Sequence, residues 1–406
     1  MIAQGSYDCV VAGGGPAGAA TATLLAQAGW RVLLVDKAHF PRTKPCSESI
    51  SPQAAQVLQR LGVLPAIEAA GLIRQAGFVV RAPNGAAFRG EFGFIRRYRS
   101  FYGTRFALER ATLDAVLLTH ATKSGVEVRQ GVRVVDLLRD GAAITGVRVA
   151  CDSTTNDIAA RLVIGADGLR SVVARRMGGV RHRGPRRLAL VAYYQGIGGL
   201  GPCGEMILGH DRYLGLGPLP GGKTNVALVA RAGTLALDGD PAATLDRELR
   251  AFPQLQGRLE GAVAVSPTWA TGPFAVQARR VIASGALLVG DAADFFDPFT
   301  GEGIYTALRG AELVAAVADH ALQINDCSEA TLRPYLRQRR RAFGGKWAVE
   351  RLVYAITSRP WLINRLAPRL ATSSLRHTLV GVTGNYVPAW ELLHPRGLWE
   401  LVVGGQ

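Results

Sequence analysis

Apolar runs without polar alternation recur along the chain at Cys9–Ala12, Arg31–Asp36, Arg161–Ala166 and Gly285–Val289. Such runs belong to strands covered on both faces, as in a parallel sheet flanked by helices. The first two are joined by a glycine turn, Gly13-Gly14-Gly15-Pro16-Ala17-Gly18, and an alanine-rich helix, Ala19 to Ala28, that stops at Gly29. Farther on, residues 53–72 read as helical, and 73–105 read as short strand-like pieces turning at Pro83-Asn84-Gly85. Leu108–Ser124 reads as an amphipathic helix and Val126–Gln130 as a strand, with a hairpin pair at Arg133–Leu138 and Ile144–Val149. At 186–270 short strands broken by Gly and Pro predict a separate β-rich layer, and helical periodicity dominates from Gly303 to the end. The expected fold is α/β, α+β overall. A nucleotide-binding core is assembled from residues 1–75, 105–180 and 275–330, with a mainly β insertion at 76–104 and 181–274 and a helical region at 331–406.

Composition narrows the classes. At 406 residues and 48% hydrophobic, the chain can bury a full core, which excludes long disorder. A formal net charge of +16 invites a nucleic-acid reading. Yet only Lys37, Lys44, Lys123, Lys223 and Lys346 are lysines, and no zinc-finger spacing, RNP aromatic pattern or basic region before heptads accompanies the arginines. Nucleic acid is therefore not an expected partner. Arginines gather at Arg96, Arg97 and Arg99, at Arg181, Arg183, Arg186 and Arg187, and at Arg333, Arg337, Arg339, Arg340 and Arg341, the last group beside apolar helical residues such as Trp347 and Trp361. Basic residues next to an apolar helix fit loose contact with an anionic membrane face or an acidic donor or carrier protein. Five scattered cysteines without any C-x-x-C fit a reducing cytoplasm, and the seven histidines show no metal-ligand spacing, so no metal is expected. No apolar run approaches the ~18 residues of a transmembrane helix, and no secretory signal opens the chain.

Gly13-x-Gly15-x-x-Gly18 carries the first chemistry. Gly13 permits a tight turn, Gly15 lets backbone approach a pyrophosphate, and Gly18 lets helix and strand pack closely, with Pro16 and Ala17 opening the helix whose N-terminus faces the phosphates. Asp36, at the end of the next strand, is placed for a ribose hydroxyl, with Lys37 beside it. Two later strand exits, Gly165-Ala166-Asp167-Gly168 and Val289-Gly290-Asp291-Ala292, also put a carboxylate beside glycine, within reach of ribose or ribityl hydroxyls.

In this order, spanning residues 8 to 293, the three motifs resemble the single-chain FAD enzymes that include aromatic hydroxylases, flavin-dependent halogenases and geranylgeranyl reductases. The resemblance implies a Rossmann-type FAD-binding domain of the glutathione-reductase-like type with FAD as cofactor. Asp291 would contact the ribityl side, and the loop Pro298-x-x-Gly301-Glu302-Gly303-Ile304 would present backbone N–H groups to the flavin pyrimidine end. Arg110, and less directly Arg42, match the arginines near the FAD phosphates. Lys44-Pro45-Cys46-Ser47-Glu48-Ser49-Ile50-Ser51-Pro52 resembles the KPCGxGLSP segment of geranylgeranyl reductases, and Asp297 to Tyr305 resembles their flavin loop. The chain departs from that group at Ser47-Glu48, which sets a carboxylate where the reductases have bare backbone, and Cys46 and Glu48 become the candidate groups at the reacting face. It departs again at Tyr213-Leu214-Gly215-Leu216-Gly217-Pro218, where the reductases carry Y-x-W-x-F-P and the halogenases W-x-W-x-I-P. Tyr213, Gly215 and Gly217 are the candidate substrate contacts.

No second glycine fingerprint serves a nicotinamide domain, so NAD(P)H is expected to visit as electron donor. The loss of two aromatic walls favours a monooxygenase that hydroxylates or epoxidises a small apolar, ring-bearing metabolite through a flavin C4a-hydroperoxide. The alternatives are alkene reduction on an isoprenoid or lipid, and a flavin-fold binding protein without chemistry.

Overall fold

The computed structural model describes residues 7–235 and 239–393; the end of the expected helical region, beyond 393, lies outside the described residues. Strand Tyr7–Ala12 is at the centre of the first sheet. It pairs in parallel with Val32–Asp36 on one side and Thr154–Gly165 on the other, and Val32–Asp36 pairs in turn with Glu127–Gln130. The buried end of Thr154–Gly165 runs parallel to Ala286–Leu288, while its exposed beginning pairs antiparallel with Ala143–Cys151, which pairs with Arg133–Asp140. Helices Pro16–Gln27 and Gly303–Gln323 pack on this sheet, bringing Leu25, Val314 and Ala318 against Val11, Leu34 and Ile164. Each fully buried Leu, Val or Ile among these contributes about 1.5–3 kcal/mol of transfer free energy.

The second sheet is the β layer. Arg187–Gln195, Lys223–Arg231, Arg212–Leu219 and Gly204–Leu208 follow one another antiparallel, and Gly77–Arg81 adds in parallel before Ala87–Glu91 closes that side. Alternation decides what each face meets. Leu190, Ile207 and Leu228 point to one side, where the amphipathic helix Pro241–Arg250 covers them with Leu245 and Leu249. Ala189, Val191, Met206 and Val229 point to the other, toward Phe274, Phe295 and Phe299 and the helix Pro360–Thr372. That second face looks across at the first sheet's glycine turn, and the space between becomes the site. The long helix Pro334–Thr357 closes one side, anchored where the Tyr335 hydroxyl donates to the Leu288 carbonyl at 2.9 Å.

Candidate active site

The cavity between the layers encloses about 1700 Å³ of non-atom space, its open mouth included. At one end is the glycine turn. Gly13 takes a φ of +106°, and a Cβ there would sit 2.4 Å from the Ala166 carbonyl oxygen; one on Gly18 would sit 1.8 Å from the Gly13 oxygen. Both contacts are with backbone, so only glycine fits and the turn is pulled tight against the sheet. A Cβ on Gly15 would meet only the tips of Arg42 and Arg110, 3.6 and 3.8 Å away. The helix beginning at Pro16 has no side-chain cap and no acid in its first turn, so its N–H groups remain for a ligand.

The two arginines share one buried partner. Arg110 grips Asp114 with Nε and Nη2 at 2.8 and 2.7 Å, and Arg42 reaches the same carboxylate at 3.2 Å. Two guanidinium groups on one carboxylate leave a net positive charge beside Gly15. A backbone turn open at Gly15, a free helix N-terminus and this surplus charge fit a pyrophosphate. The Asp36 carboxylate accepts from the backbone N–H of Gly14 at 2.7 Å and Ala38 at 2.8 Å, tying turn to strand end, and Lys37 points to solvent.

Along the floor, Asp291 follows Gly290, faces the cavity and lies 3.5 Å from the Lys44 ammonium. Gly168 also lines the cavity, but Asp167 does not. Its Oδ2 accepts from the N–H groups of Val172 and Val173 at 2.6 and 3.2 Å, capping the helix Val172–Arg176 that follows the short turn after the strand. Burial pushes this carboxyl up. Pro298, Gly301, Glu302, Gly303 and Ile304 all line the cavity, with Gly301 left-handed at φ +67° ahead of the long helix.

Cys46 lines the cavity with its carbonyl held by Asn225 Nδ2 at 2.9 Å, and burial and the nearby Glu48 push its thiol up, keeping it neutral. Glu48 faces away from the cavity. It is fully buried at φ +57°, accepts from the Arg110 N–H at 2.5 Å and the Tyr193 hydroxyl at 2.7 Å, and caps the helix Arg110–Lys123. The group expected at the reacting face thus braces the start of the helix that carries Arg110, since a left-handed residue between Ser47 and Ser49 turns its side chain inward.

Tyr213, Gly215 and Gly217 line the cavity. The space freed by the two glycines is bounded by other groups: a Cβ on Gly215 would lie 3.4 Å from the Met206 sulfur, and one on Gly217 3.8 Å from Gln75 Nε2. The Tyr213 hydroxyl donates to Asp297 at 2.7 Å, and Arg187 pairs with the other oxygen of Asp297 at 3.1 Å, locking the β layer to the flavin-loop segment.

Several roles escaped the sequence reading. Glu302 is buried, 3.6 Å from the Lys346 ammonium, which also binds Glu350 at 2.7 Å. One ammonium between two buried carboxylates cannot neutralise both, and burial pushes Glu302 up to about 8. Lys346 had a signal, being one of few lysines in an arginine-rich chain. Arg187 and Arg339, counted among surface clusters, are buried and paired to Asp297 and Asp294, whereas Arg96, Arg97 and Arg99 are exposed.

Residues 6–344 match the family of the FAD binding domain. The chain belongs to that family, and it is an FAD-dependent oxidoreductase. It is 30% identical over 348 residues, 83% of each chain, to digeranylgeranylglycerophospholipid reductase 2 of Methanopyrus kandleri. It is 29% identical to the menaquinone reductase of Mycolicibacterium smegmatis over 94% of this chain and 92% of that one. Among solved structures, the flavin-dependent brominase Bmp2 superposes with a TM-score of 0.82 at 19% identity, covering 94% of each chain. A geranylgeranyl bacteriochlorophyll reductase-like protein of Thermoplasma acidophilum superposes at 0.73 with 21% identity, covering 98% and 96%. These two likenesses bear on the fold alone. No helix among the described residues is long and apolar enough to cross a membrane.

Proposed function

We propose that this oxidoreductase reduces carbon–carbon double bonds of an isoprenoid or lipid substrate, with electrons from NAD(P)H or an acidic carrier protein. The observation that carries the reading is the apolar floor, in which Ala189, Val191, Met206, Ala227 and Val229 face the Asp297–Gly303 loop across one continuous cavity. Small aliphatic side chains and one flexible methionine leave room for an extended chain rather than a slot shaped around one ring. Two of the similar proteins carry reductase names, which supports the same direction.

When bound, the flavin supplies the electron pair. The cavity walls exclude water and hold the alkene against the loop, and Glu302, kept protonated at neutral pH by burial, holds the proton that the second carbon needs. Lys346 positions Glu302 without removing its proton, because Glu350 takes the closer share of the ammonium. The C=C bond gains a hydride at one carbon and a proton at the other.

Oxygenation, favoured by the sequence alone, is the competing outcome. Product mass spectrometry after turnover of a polyprenyl substrate under labelled oxygen separates the two. Reduction adds two hydrogens and no label, and incorporation of labelled oxygen overturns the proposal.

A further inference from the structure

Four arginines are buried among the described residues: Arg105, Arg110, Arg187 and Arg339. Three of them hold carboxylates, Asp114, Asp297 and Asp294 respectively. Arg105 has none. Its Nε donates to Gln75 Oε1 at 2.5 Å, its guanidinium stacks 3.6 Å over the Phe78 ring, and neither Nη1 nor Nη2 has an acceptor among the described residues. It lines the cavity together with Phe78, Met206 and Gly217.

The surroundings are built around this side chain. Gln75 is fully buried and its amide is oriented by donation to the Pro218 carbonyl at 3.1 Å, so that Oε1 faces Arg105. Gly204 leaves the necessary space, since a Cβ there would lie 2.4 Å from Arg105 Nη2. Burial pushes the guanidinium down to about 9, which still leaves it charged at neutral pH. A buried cation with two free N–H edges and no counter-charge is costly in a folded chain, and a ligand that brings the anion removes that cost. The position is close to the reacting end. A Cβ on Gly217 would lie 3.8 Å from Gln75 Nε2 and 4.0 Å from the Ser47 carbonyl oxygen, and one on Gly301 of the flavin loop would lie 3.8 Å from the Ser47 hydroxyl.

We propose that Arg105 is an oxyanion anchor, and that the substrate is an apolar chain ending in a phosphate or carboxylate that Arg105 binds through Nη1 and Nη2. This rests on the cavity being the substrate site, as proposed above, and it adds the chemistry of one substrate end. Gln75 and Phe78 act as positioning residues that hold the guanidinium flat and oriented before the ligand arrives.

The FAD-loaded protein, titrated with octadecyl phosphate, octadecanoate, octadecanol and inorganic phosphate while the flavin absorbance is followed, tests the assignment without turnover. One or both octadecyl anions bind on the order of 10- to 100-fold more tightly than octadecanol, the usual range for a charge-assisted contact. Which of the two gains more identifies the headgroup, and competition by inorganic phosphate shows whether the anion subsite acts without the chain. Arg105→Gln abolishes the preference and leaves octadecanol binding within about threefold, and Arg105→Lys restores part of it. Should Arg105→Gln fail to retain FAD, Gly204→Ala, which displaces the guanidinium, shows the same loss of preference. Equal affinity of the wild type for anion and alcohol, or a preference that survives in an FAD-loaded Arg105→Gln or Gly204→Ala protein, overturns the anchor. An anion preference in a protein that reduces no alkene would instead overturn the proposed reaction and leave the anchor standing.

Discussion

The glycine-turn end of the cavity is built on one strand–turn–helix unit, Tyr7 to Gln27, with Arg42 and Arg110 added beside it, whereas the end facing the β layer draws Arg105, Tyr213, Phe299 and Lys346 from four separate elements. At the first end backbone shapes the turn and sterics fix the residue type. At the second, side chains that are distant in sequence meet as buried charges, and their meaning depends on which neighbour each finds. The proposed reading follows this division, with a cofactor shared by many enzymes at the local unit and the chemistry particular to this chain at the assembled one.

The largest effect should come from breaking the local unit. In Gly18→Ala the new Cβ collides with the Gly13 carbonyl at 1.8 Å, and since backbone cannot move aside, the overpacking should reach about 3 kcal/mol or more. The purified variant is expected to be colourless where the wild type is yellow, as read from its flavin absorbance.

Breaking the assembled end should leave the flavin bound and damage something else. Lys346→Met removes the cation between Glu302 and Glu350, and loss of one partner from a buried pair costs about 3 kcal/mol, the low end of its range because the stranded carboxylates can take up protons. Denaturant unfolding of the FAD-loaded protein reads this directly. Glu302→Gln keeps the shape and removes the transferable proton, so turnover should fall on the order of a hundredfold while flavin content is unchanged. Unchanged turnover would remove Glu302 from the chemistry.

Glu48 offers a smaller test. Its folded-state pKa, about 8, lies above the ordinary 4.5, so the native protein holds this proton more tightly than the unfolded chain. Its stabilising contribution is complete below about 4.5 and is lost as pH rises through about 8; Glu302 acts in the same sense. Stability should decline across that window, and Glu48→Gln should make the decline shallower. The smallest effect is that of Tyr193→Phe, which removes one hydrogen bond to Glu48 and should cost about 1 kcal/mol in thermal or denaturant unfolding.

The same division explains what could be read from the sequence. The glycine turn and the strand exit at Asp291 were legible because their spacing is the mechanism: three glycines at fixed offsets and a carboxylate after an apolar run. The long strand Thr154–Gly165 was recognised only in its second half, because its first residues are exposed in an antiparallel pairing and carry Thr, Asn and Asp. The helix Pro241–Arg250 lies inside the stretch whose Gly and Pro breaks predict a β layer, although Asp240 and Pro241 form a regular helix start. Glu48 looked catalytic because its left-handed backbone, which turns it away from the cavity, leaves no mark in composition. Arg105 was invisible for a related reason, and the rarity of Lys346 marked the residue without its role, since a charged residue in a strand or helix reads as solvated until the fold shows it buried.

The central claim is that electrons leave this protein by way of an alkene. The most direct measurement is anaerobic. The FAD-loaded protein is photoreduced with oxygen removed and mixed in a stopped-flow cell with a polyprenyl substrate bearing a phosphate or carboxylate end. Return of the oxidised flavin absorbance at a rate that rises with substrate concentration, with saturated product recovered, is the predicted result. A reduced flavin that stays reduced until oxygen is admitted would contradict it.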